Sequence, residues 1–336
     1  NMKKQNERAH MIPAYSKVLV AGGAGFIGSN LVDKLLQEGV EVTVLDNLYT
    51  GSLENIAHHK QNRNFHFVRG DVRNPDAVKS IVKDMDAVFN EAAVVSVPRS
   101  MENPLLANEV NVTGTLNLLT ACLHSGVKRF VQASSASIYG NTAALPLREE
   151  LPPKPISPYA VSELAAESYV KVFSTVYGLP TVCLRYFNVY GPRQTYSPYS
   201  GVITIFINRL QRNQPPIILG NGKQTRDFVY VEDVIKANML ALIRKRAVGE
   251  VFNIATGIAT TINQMVTILQ ESMGKMNLRP IYKEPRSGDI RHSCASIEKA
   301  RKSLGYKPQF SLEKGLTKLV EWYSMQSSAN EKIGNP

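Results

Sequence analysis

A tyrosine and a glutamate, Tyr159 and Glu163, stand four residues apart in the middle of the chain. If this segment is helical, the two side chains share one face and lie one turn apart. A phenol can take a proton from a substrate hydroxyl, but its unperturbed pKa is about 10, so forming the phenolate at pH 7 costs about 4 kcal/mol. A carboxylate one turn away would raise that pKa further. The pair therefore indicates that Tyr159 accepts a proton although the negative charge of Glu163 opposes formation of the phenolate. Glu163 could also serve as a hydrogen-bond acceptor.

A glycine-rich loop joins the first expected strand to the first expected helix. Gly22, Gly25 and Gly28 permit a tight turn, close approach of the backbone to a pyrophosphate, and close packing of helix on strand. The helix behind them, which includes Phe26 and Ile27, offers free N–H groups and a positive dipole end to phosphates. The loop therefore predicts a dinucleotide site.

Acidic and small residues follow the next expected strands. Asp46 ends the second strand, where it can accept hydrogen bonds from an adenosine ribose diol. Its charge would repel a 2′-phosphate and no arginine follows it directly, which favours NAD over NADP. Asp71 is either a contact to the adenine edge or a turn residue, and the alanines after the fourth strand either let the cofactor pass or pack a strand end. The cofactor candidates at these strand ends are Asp46, Asn47, Asp71, Val72, Ala92 and Ala93.

The first half of the chain alternates short β-branched runs with helical patterns, which predicts βαβ units and a parallel sheet. Strands are expected at 17–21, 41–45, 65–69, 87–90, 129–133 and 181–185. Helices are expected at 25–37, 104–125 and 158–177. Ser157 is the expected N-cap of the last helix, and Pro158 its first residue. The predicted fold class is therefore α/β, with a Rossmann-like doubly wound parallel sheet and a smaller, mixed α/β lobe.

The domain boundaries follow from a change of pattern after Arg185, where loops rich in proline, glycine and tyrosine begin. We assign residues 14–185, with returning segments at about 228–255, to the dinucleotide-binding domain. In this division residues 186–227 and 256–326 form the substrate-binding lobe.

Composition places the chain among ordinary globular proteins, with 43% apolar and 20% charged residues. The net charge is +11, but lysine and arginine are scattered without a polybasic run, which favours a small anionic substrate over nucleic acid. No apolar run reaches the ~18 residues that span a bilayer, and the first residues lack the apolar stretch of a signal peptide, so a cytoplasmic protein is expected. Three scattered cysteines match neither a disulfide framework nor a zinc motif, and no metal site is expected.

Further motifs complete a pattern that resembles one family. They are Asn111-Val112-Thr113-Gly114-Thr115, the serine cluster before Tyr139-Gly140, Tyr159, and the segments 185–192, 226–229 and 286–289. With the glycine loop they resemble an extended short-chain dehydrogenase/reductase of the UDP-glucose 4-epimerase type, over residues 16 to about 325. In that family a tightly held NAD takes a hydride from C4 of a nucleotide hexose. A tyrosine removes the 4-OH proton with help from a serine or threonine, and the hydride then returns to the other face.

The resemblance implies roles for individual residues. Tyr159 matches the family's base, Ser135 its helper hydroxyl, and Asn111 a cofactor residue. Glu163 replaces the family's lysine, which lowers the tyrosine pKa and binds the nicotinamide ribose. Three hypotheses for Glu163 stay open: a slower enzyme that relies on the positive nicotinamide ring, a changed reaction, or a deliberate substitution. The substrate candidates by the same resemblance are Ser96, Ser135, Asn188, Arg226, Arg286, Asp289, Arg291 and Ser293.

The chain lacks an acidic residue that some related enzymes use, and this narrows the choice of expected reactions. Related dehydratases and decarboxylases carry that acid where this chain has Ala136 and Ser137, so epimerisation is favoured. Ser293 stands at a pocket-size position, and its small side chain resembles relatives that admit an N-acetyl group. The predicted function is NAD-dependent C4 epimerisation of a UDP-hexose, including UDP-N-acetylhexosamines, in a homodimer with a four-helix interface. The alternatives are another nucleotide-sugar modification, or a binding protein that has lost catalysis through Glu163.

Overall fold

Seven parallel strands form the central sheet in the part of the chain that the structure describes. The computed structural model describes residues 15–197, 201–285 and 290–333. In that part of the chain the strands are β1 (Lys17–Ala21), β2 (Glu41–Asp46), β3 (Phe65–Arg69), β4 (Ala87–Asn90), β5 (Arg129–Ser135), β6 (Thr181–Tyr186), β7 (Asn188–Tyr190), β8 (Ile217–Leu219), β9 (Thr225–Arg226), β10 (Phe228–Tyr230), β11 (Val251–Ile254), β12 (Thr260–Thr261) and β13 (Ile281–Lys283). The α-helices are α1 (Phe26–Gln37), α2 (Pro75–Val82), α3 (Val97–Glu102), α4 (Pro104–Asn108), α5 (Gly114–Ser125), α6 (Pro158–Thr175), α7 (Val202–Gln211), α8 (Val231–Ile243), α9 (Ile262–Ser272), α10 (Glu298–Leu304) and α11 (Leu312–Ile333).

The large sheet has the order β3-β2-β1-β4-β5-β6-β11, and all of its strands run parallel. From β1 the strands follow one another through β2 to β3 on one side of the sheet. The chain then returns to β4, beside β1, and the later strands follow on the other side. At such a reversal the loops diverge beyond the carboxyl ends of the two strands and leave a crevice for a ligand. The predicted doubly wound parallel sheet is confirmed.

Helices cover both faces of the sheet, as a parallel sheet requires. One apolar core includes Leu31 of α1 and Val234 of α8, and the other includes Val78 of α2 and Leu118 of α5. A third core, with Ile207 of α7 as a member, lies among α7, α9 and α11, beside the two-stranded pairs β7–β10, β8–β13 and β9–β12. The predicted smaller, mixed α/β lobe is thus confirmed. None of the helices in the described residues is long and apolar enough to cross a membrane.

The start of α6 has the predicted capping residues. Ser157 Oγ accepts a hydrogen bond from the backbone N–H of Ala160 at 3.1 Å, and Pro158 occupies the first turn, where no N–H is needed. The helix ends at Thr175, two residues before the predicted end. Because the cap fixes where the helix begins, Tyr159 lies in its first turn.

The helix predicted at 104–125 is interrupted. A π-helical turn at Glu109–Thr113 separates α4 from α5. In this turn the side-chain oxygen of Asn111 accepts the backbone N–H of Val94 at 2.7 Å, and its amide donates to Ser162 Oγ at 2.9 Å. Apolar periodicity cannot reveal such tertiary hydrogen bonds, and π-turns of this kind are frequent at functional sites.

Candidate active site

The loop after β1 borders a cleft at the crevice between β1 and β4. Gly22 has a φ of +78°, and a Cβ atom there would lie 2.7 Å from the backbone nitrogen of Ala92. A Cβ atom on Gly28 would overlap the carbonyl oxygen of Gly22. The two glycines therefore let the loop approach both the end of β4 and the first turn of α1.

The N-terminus of α1 is open toward this cleft. Gly25 is the N-cap residue and lines the cleft, while Phe26 and Ile27 form the first turn and pack against the core. No acidic residue occupies that turn. The positive end of the helix dipole is therefore available to a phosphate group.

Asp46 is held rigidly at the end of β2. Its Oδ2 accepts the backbone N–H of Ala24 at 2.9 Å, and its Oδ1 accepts the N–H of Leu48 at 2.8 Å. Burial raises the pKa of this carboxyl above its usual value, and the two N–H groups partly offset that effect. Each oxygen keeps a further lone pair for a ribose hydroxyl.

Asp71 is paired with an arginine that sequence reasoning did not single out. Arg73 donates from Nε to Asp71 Oδ1 at 3.0 Å and from Nη2 to Oδ2 at 2.9 Å, and from Nη1 to Glu109 Oε2 at 2.9 Å. The Arg73 hydrogen bonds lower the pKa of Asp71 to about 2. Asn47 Nδ2 also donates to Asp71 Oδ2, at 2.9 Å. The Arg73 charge is therefore neutralised within the cleft wall.

The lining of the cleft fits a dinucleotide. Most of the predicted cofactor residues line it: Gly22, Gly25, Asp46, Asn47, Asp71, Val72, Ala92 and Ala93. Asn111 lies behind the lining, bound to Val94, which is part of it. A helix N-terminus for phosphates, a carboxylate for a ribose and small residues beside the loop are the features that NAD requires.

Tyr159 and Ser135 meet near the end of β5. Ser135 is the last residue of that strand, and its side chain lies close enough to the Tyr159 phenol to lower the pKa of that group. Ser100 Oγ accepts the backbone N–H of Tyr159 at 3.0 Å, which ties α6 to α3. The backbone of Tyr159 is thus held independently of its hydroxyl group.

The phenol of Tyr159 is hard to ionise. Burial, followed by the negative charge of Glu163 when it is ionised, raises the pKa of Tyr159 above its usual value, and the Ser135 hydrogen bond only partly offsets this. A positive charge bound beside the phenol would therefore be needed to bring its pKa toward neutrality.

Glu163 belongs to a group of buried carboxyls. It is 5% exposed, and burial together with the charges of Glu167 and Glu91 raises its pKa to about 8. Burial also raises the pKa of Glu91 to about 8, although its Oε1 accepts a hydrogen bond from the Tyr186 hydroxyl at 2.8 Å. At pH 7 Glu163 and Glu91 are therefore mostly protonated. Glu163 is then a neutral hydrogen-bond donor rather than an anion.

Glu167, one further turn along α6, has a cation of its own. Arg185 donates from Nε to Oε2 at 2.9 Å and from Nη2 to Oε1 at 2.6 Å, and Ser134 Oγ donates to Oε2 at 2.8 Å. Within the described residues Glu163 has no ion-pair partner of this kind. This difference explains why Glu163 holds its proton, since an unpaired buried carboxylate is costly.

Three substrate candidates of the second lobe come together at β9. Thr225 donates its N–H to the carbonyl of Arg291 at 3.0 Å, and Ser293 donates its N–H to the carbonyl of Thr225 at 3.2 Å. Arg226, Arg291 and Ser293 therefore occupy neighbouring positions. The Arg291 side chain is exposed, whereas Ser293 is 7% exposed.

Of the other substrate candidates, two lie on described elements of the structure and two do not. Asn188 begins β7 and donates its N–H to the carbonyl of Asp227 at 3.1 Å, directly after β9. Ser96 is the N-cap residue of α3 and is buried. Arg286 and Asp289 lie outside the described residues.

Comparison with known proteins decides the family. The model of the NAD dependent epimerase/dehydratase family matches residues 18–255. The UDP-glucose 4-epimerase of Mycolicibacterium smegmatis is 37% identical over 313 residues, which cover 93% of this chain and 99% of that protein. The chain belongs to the NAD dependent epimerase/dehydratase family.

Two solved structures resemble this family member along nearly its whole length. The UDP-glucose 4-epimerase of Thermotoga maritima with UDP-glucose matches with a TM-score of 0.87 at 41% identity, covering 93% of this chain and 99% of that one. The UDP-N-acetylglucosamine 4-epimerase of Methanobrevibacter ruminantium M1, in complex with UDP-N-acetylmuramic acid, matches with a TM-score of 0.88 at 38% identity and the same coverages. These findings confirm the predicted family, an enzyme of the epimerase type, and NAD as the family's cofactor.

The buried carboxyl Glu163 makes this family member's stability depend on pH. Its pKa is raised from 4.5 to about 8, so its neutral form contributes stability that is full below about pH 4.5 and is lost as the pH rises toward 8. We expect Glu163→Gln to resemble the parent protein near pH 5 and to exceed its stability near pH 8. The gap should grow by at most about 1.4 kcal/mol per pH unit.

Thermal unfolding of both proteins across this pH range measures the effect. The control Glu298→Gln changes an exposed carboxyl that pairs with Arg301, and it should show no such trend. A constant gap between Glu163→Gln and the parent protein would contradict a buried, neutral Glu163.

Sequence reasoning assigned no role to Glu91, Arg73 or Ser100. Glu91 follows β4 directly at the crevice, and that position was a usable signal. The link from Arg73 to Glu109 and the hydrogen bond between Ser100 and the Tyr159 backbone join segments that are distant in sequence, so no local pattern indicates them.

Proposed function

We propose that the protein catalyses NAD-dependent epimerisation at C4 of a UDP-hexose, including UDP-N-acetylhexosamines. The observation that carries the proposal is that Tyr159 and Ser135 lie close together in a protein whose dinucleotide cleft is lined by Asp46. A pair of adjacent hydroxyl groups suits the removal of a proton from a secondary alcohol. Relatives that are 4-epimerases of UDP-glucose and UDP-N-acetylglucosamine support the same reaction.

In this mechanism the chain binds, orients and deprotonates the sugar, and NAD, when bound, supplies the reversible oxidation at C4. The glycine loop holds the pyrophosphate and Asp46 holds the adenosine ribose. Tyr159 Oη accepts the proton of the 4-hydroxyl group, and Ser135 Oγ donates a hydrogen bond to the same oxygen as negative charge develops there. After the sugar has turned over, Tyr159 returns the proton to the C4 oxygen.

Glu163 gives this mechanism an unusual electrostatic setting. As a protonated acid it can donate a hydrogen bond where the family carries lysine, but it brings no positive charge. Tyr159 then depends on the positive nicotinamide ring to lower its pKa. This supports the hypothesis of a slower enzyme with the family's reaction over that of a changed reaction.

Binding of the sugar nucleotide is assigned to the second lobe. The guanidinium groups of Arg226 and Arg291 suit diphosphate oxygens, and Arg286 is a third candidate by sequence. Asp289 is the candidate for the uridine ribose, and Asn188 for the sugar or diphosphate. These roles follow from the motifs and from the arrangement around β9.

A dehydratase or another nucleotide-sugar modification is less well supported. Ala136 and Ser137 follow Ser135, so no acid for elimination is present at that place. Incubating the purified protein with UDP-glucose and with UDP-N-acetylglucosamine, followed by NMR of the products, tests the proposal. A C4 epimer supports it, a new alkene or keto sugar supports the alternative reaction, and bound but unchanged substrate supports a binding protein that has lost catalysis.

We expect the protein to carry NAD(H) rather than NADP(H) through purification. Two backbone N–H groups fix Asp46, so its carboxylate cannot turn away from a 2′-phosphate. Arg73 lies in the same cleft wall, but its guanidinium group is already paired with Asp71 and Glu109 and so does not favour a 2′-phosphate. Chromatography of the nucleotide released by denaturation measures the outcome, and recovery of mainly NADP(H) would refute it.

We expect Ser293→Tyr to lose turnover of N-acetylated substrates selectively. Ser293 is buried. By the family resemblance it stands at the pocket-size position, where a bulky tyrosine ring would take the room of the N-acetyl group. The ratio of kcat/KM for UDP-N-acetylglucosamine to that for UDP-glucose should fall about tenfold or more, a difference of about 1.4 kcal/mol. The matched control Ser293→Ala should keep both activities. An equal loss on both substrates would mean that Ser293 does not select the sugar.

We assign the homodimer interface to the face that carries α4 and α6. Leu105, Val161, Val172 and Val176 expose large apolar side chains there. Grouped apolar surface of this kind is typical of subunit interfaces. Sedimentation velocity measures the mass in solution, and a monomer at every concentration would exclude this assembly.

A further inference from the structure

Two histidines and an aspartate converge away from the cofactor cleft. Asp33 belongs to α1, and His58 and His59 end a 3₁₀ turn at Ala57–His59. His58 Nε2 lies 2.9 Å and His59 Nε2 lies 2.6 Å from Asp33 Oδ1. The three atoms, each of a type that binds metal ions, lie within 4.8 Å of one another. Among the described residues, the cleft lining includes none of the three.

The spacing of these atoms is close to that of a zinc site. Zinc binds imidazole nitrogen and carboxylate oxygen at about 2.0–2.1 Å, so its tetrahedral ligands lie about 3.3 Å apart. The Nε2–Oδ1 distances of 2.9 Å for His58 and 2.6 Å for His59 are shorter than this by about 0.4 and 0.7 Å, a change that side-chain rotations can supply. Without a metal, both imidazoles must carry a proton on Nε2 and share one acceptor oxygen. A cation would replace both protons.

Neighbouring side chains orient the three ligands. Arg193 Nη2 binds Asp33 Oδ2 at 2.6 Å, which leaves Oδ1 turned toward the histidines. His59 packs on the ring of Phe65 with centroids 5.6 Å apart, and its side chain is 14% exposed. The His58 side chain is 48% exposed, so water can reach the fourth coordination position. Side chains that orient the ligands in this way are a regular feature of metal sites.

The donor set selects the kind of metal. Two imidazoles and one carboxylate favour zinc and its first-row neighbours, whereas magnesium and calcium prefer oxygen ligands. We propose that Asp33, His58 and His59 form a zinc-binding site with a fourth position open to water. The ion would hold the 3₁₀ turn against α1, next to Arg193, which contacts Asp33. Cysteine spacing does not reveal this site, because its ligands come from elements 25 residues apart.

The test uses full-length protein without an affinity tag, freed of metal with a chelator and titrated with zinc chloride by calorimetry. We expect one zinc ion per chain and a Tm higher by several degrees, because a ligand of the folded state stabilises it. Magnesium chloride should produce neither effect. His58→Gln, His59→Gln and Asp33→Asn should each lose both effects, and the histidine variants suffice if Asp33→Asn fails to fold without its contact to Arg193.

The matched control is His66→Gln. His66 is a half-exposed histidine that lies 3.3 Å from a single carboxylate, that of Glu41, and it should not contribute to zinc binding. Loss of binding in the ligand variants with retention in His66→Gln supports the site. The proposal is overturned if the parent protein binds no stoichiometric zinc, or if binding survives both histidine substitutions. Neither readout involves turnover, so the result is independent of the proposed reaction.

Discussion

Replacing Tyr159 with phenylalanine is expected to lower kcat by about a thousandfold, because a positioned general base contributes about 10²–10⁴-fold. The variant keeps the ring and loses only the hydroxyl that meets Ser135. Ser100 Oγ still holds the backbone of residue 159, so the start of α6 and the fold should persist. Binding of the UDP-sugar should change little, because the arginines of the second lobe are untouched. Turnover and calorimetric binding are to be measured on the same preparation.

A second tyrosine offers a matched control for this variant. Tyr177 follows the end of α6, is exposed and packs on Phe173, so Tyr177→Phe removes an equivalent hydroxyl outside the site. Its turnover should equal that of the parent protein. If Tyr159→Phe retains more than about a tenth of the parent rate, the phenol is not the base.

Replacing Glu163 with lysine is expected to raise the rate near neutral pH. The new ammonium group would lie one turn from Tyr159 and near Glu167, whose negative charge favours its charged form. The pKa of the phenol should fall, and each unit recovered increases the phenolate population about tenfold. The rise of activity with pH should therefore move to lower pH than in the parent protein, for which we expect low turnover at pH 7.

Glu163→Gln separates the charge of Glu163 from its shape. Because Glu163 loses its proton near pH 8 and then repels a phenolate, the alkaline rise of activity should be shallower in the parent protein than in Glu163→Gln. If Glu163→Lys lowers turnover while NAD remains bound, the carboxyl itself takes part in the chemistry. That result would contradict the present account of the site.

Short-range spacing was sufficient to predict the elements that position the site. The bounds of β1 match the prediction, and Ser157 and Pro158 begin α6 as their capping preferences require. The glycine loop follows β1 and Asp46 ends β2. Both therefore lie at the same edge of the parallel sheet, where they line the cleft. Each of these features depends on residues that are near in sequence or on the order of strands.

Features that depend on contacts between distant segments could not be predicted. The π-turn around Asn111 is stabilised by Val94 and Ser162, which belong to other elements. The protonated state of Glu163 depends on its burial beside Glu91, a residue 72 positions earlier in the chain. From the sequence alone Glu163 is a charge beside a tyrosine, whereas in the folded protein it is a neutral acid.

The most direct test of the central claim follows the hydrogen at C4. The purified protein is incubated in ordinary water with UDP-glucose or UDP-N-acetylglucosamine deuterated at C4, and the products are examined by NMR and mass spectrometry. We predict a C4 epimer that keeps its deuterium at C4, because the hydrogen removed from that carbon returns to it. A keto sugar with deuterium at C6, or an epimer whose deuterium has exchanged with water, would contradict the proposed reaction.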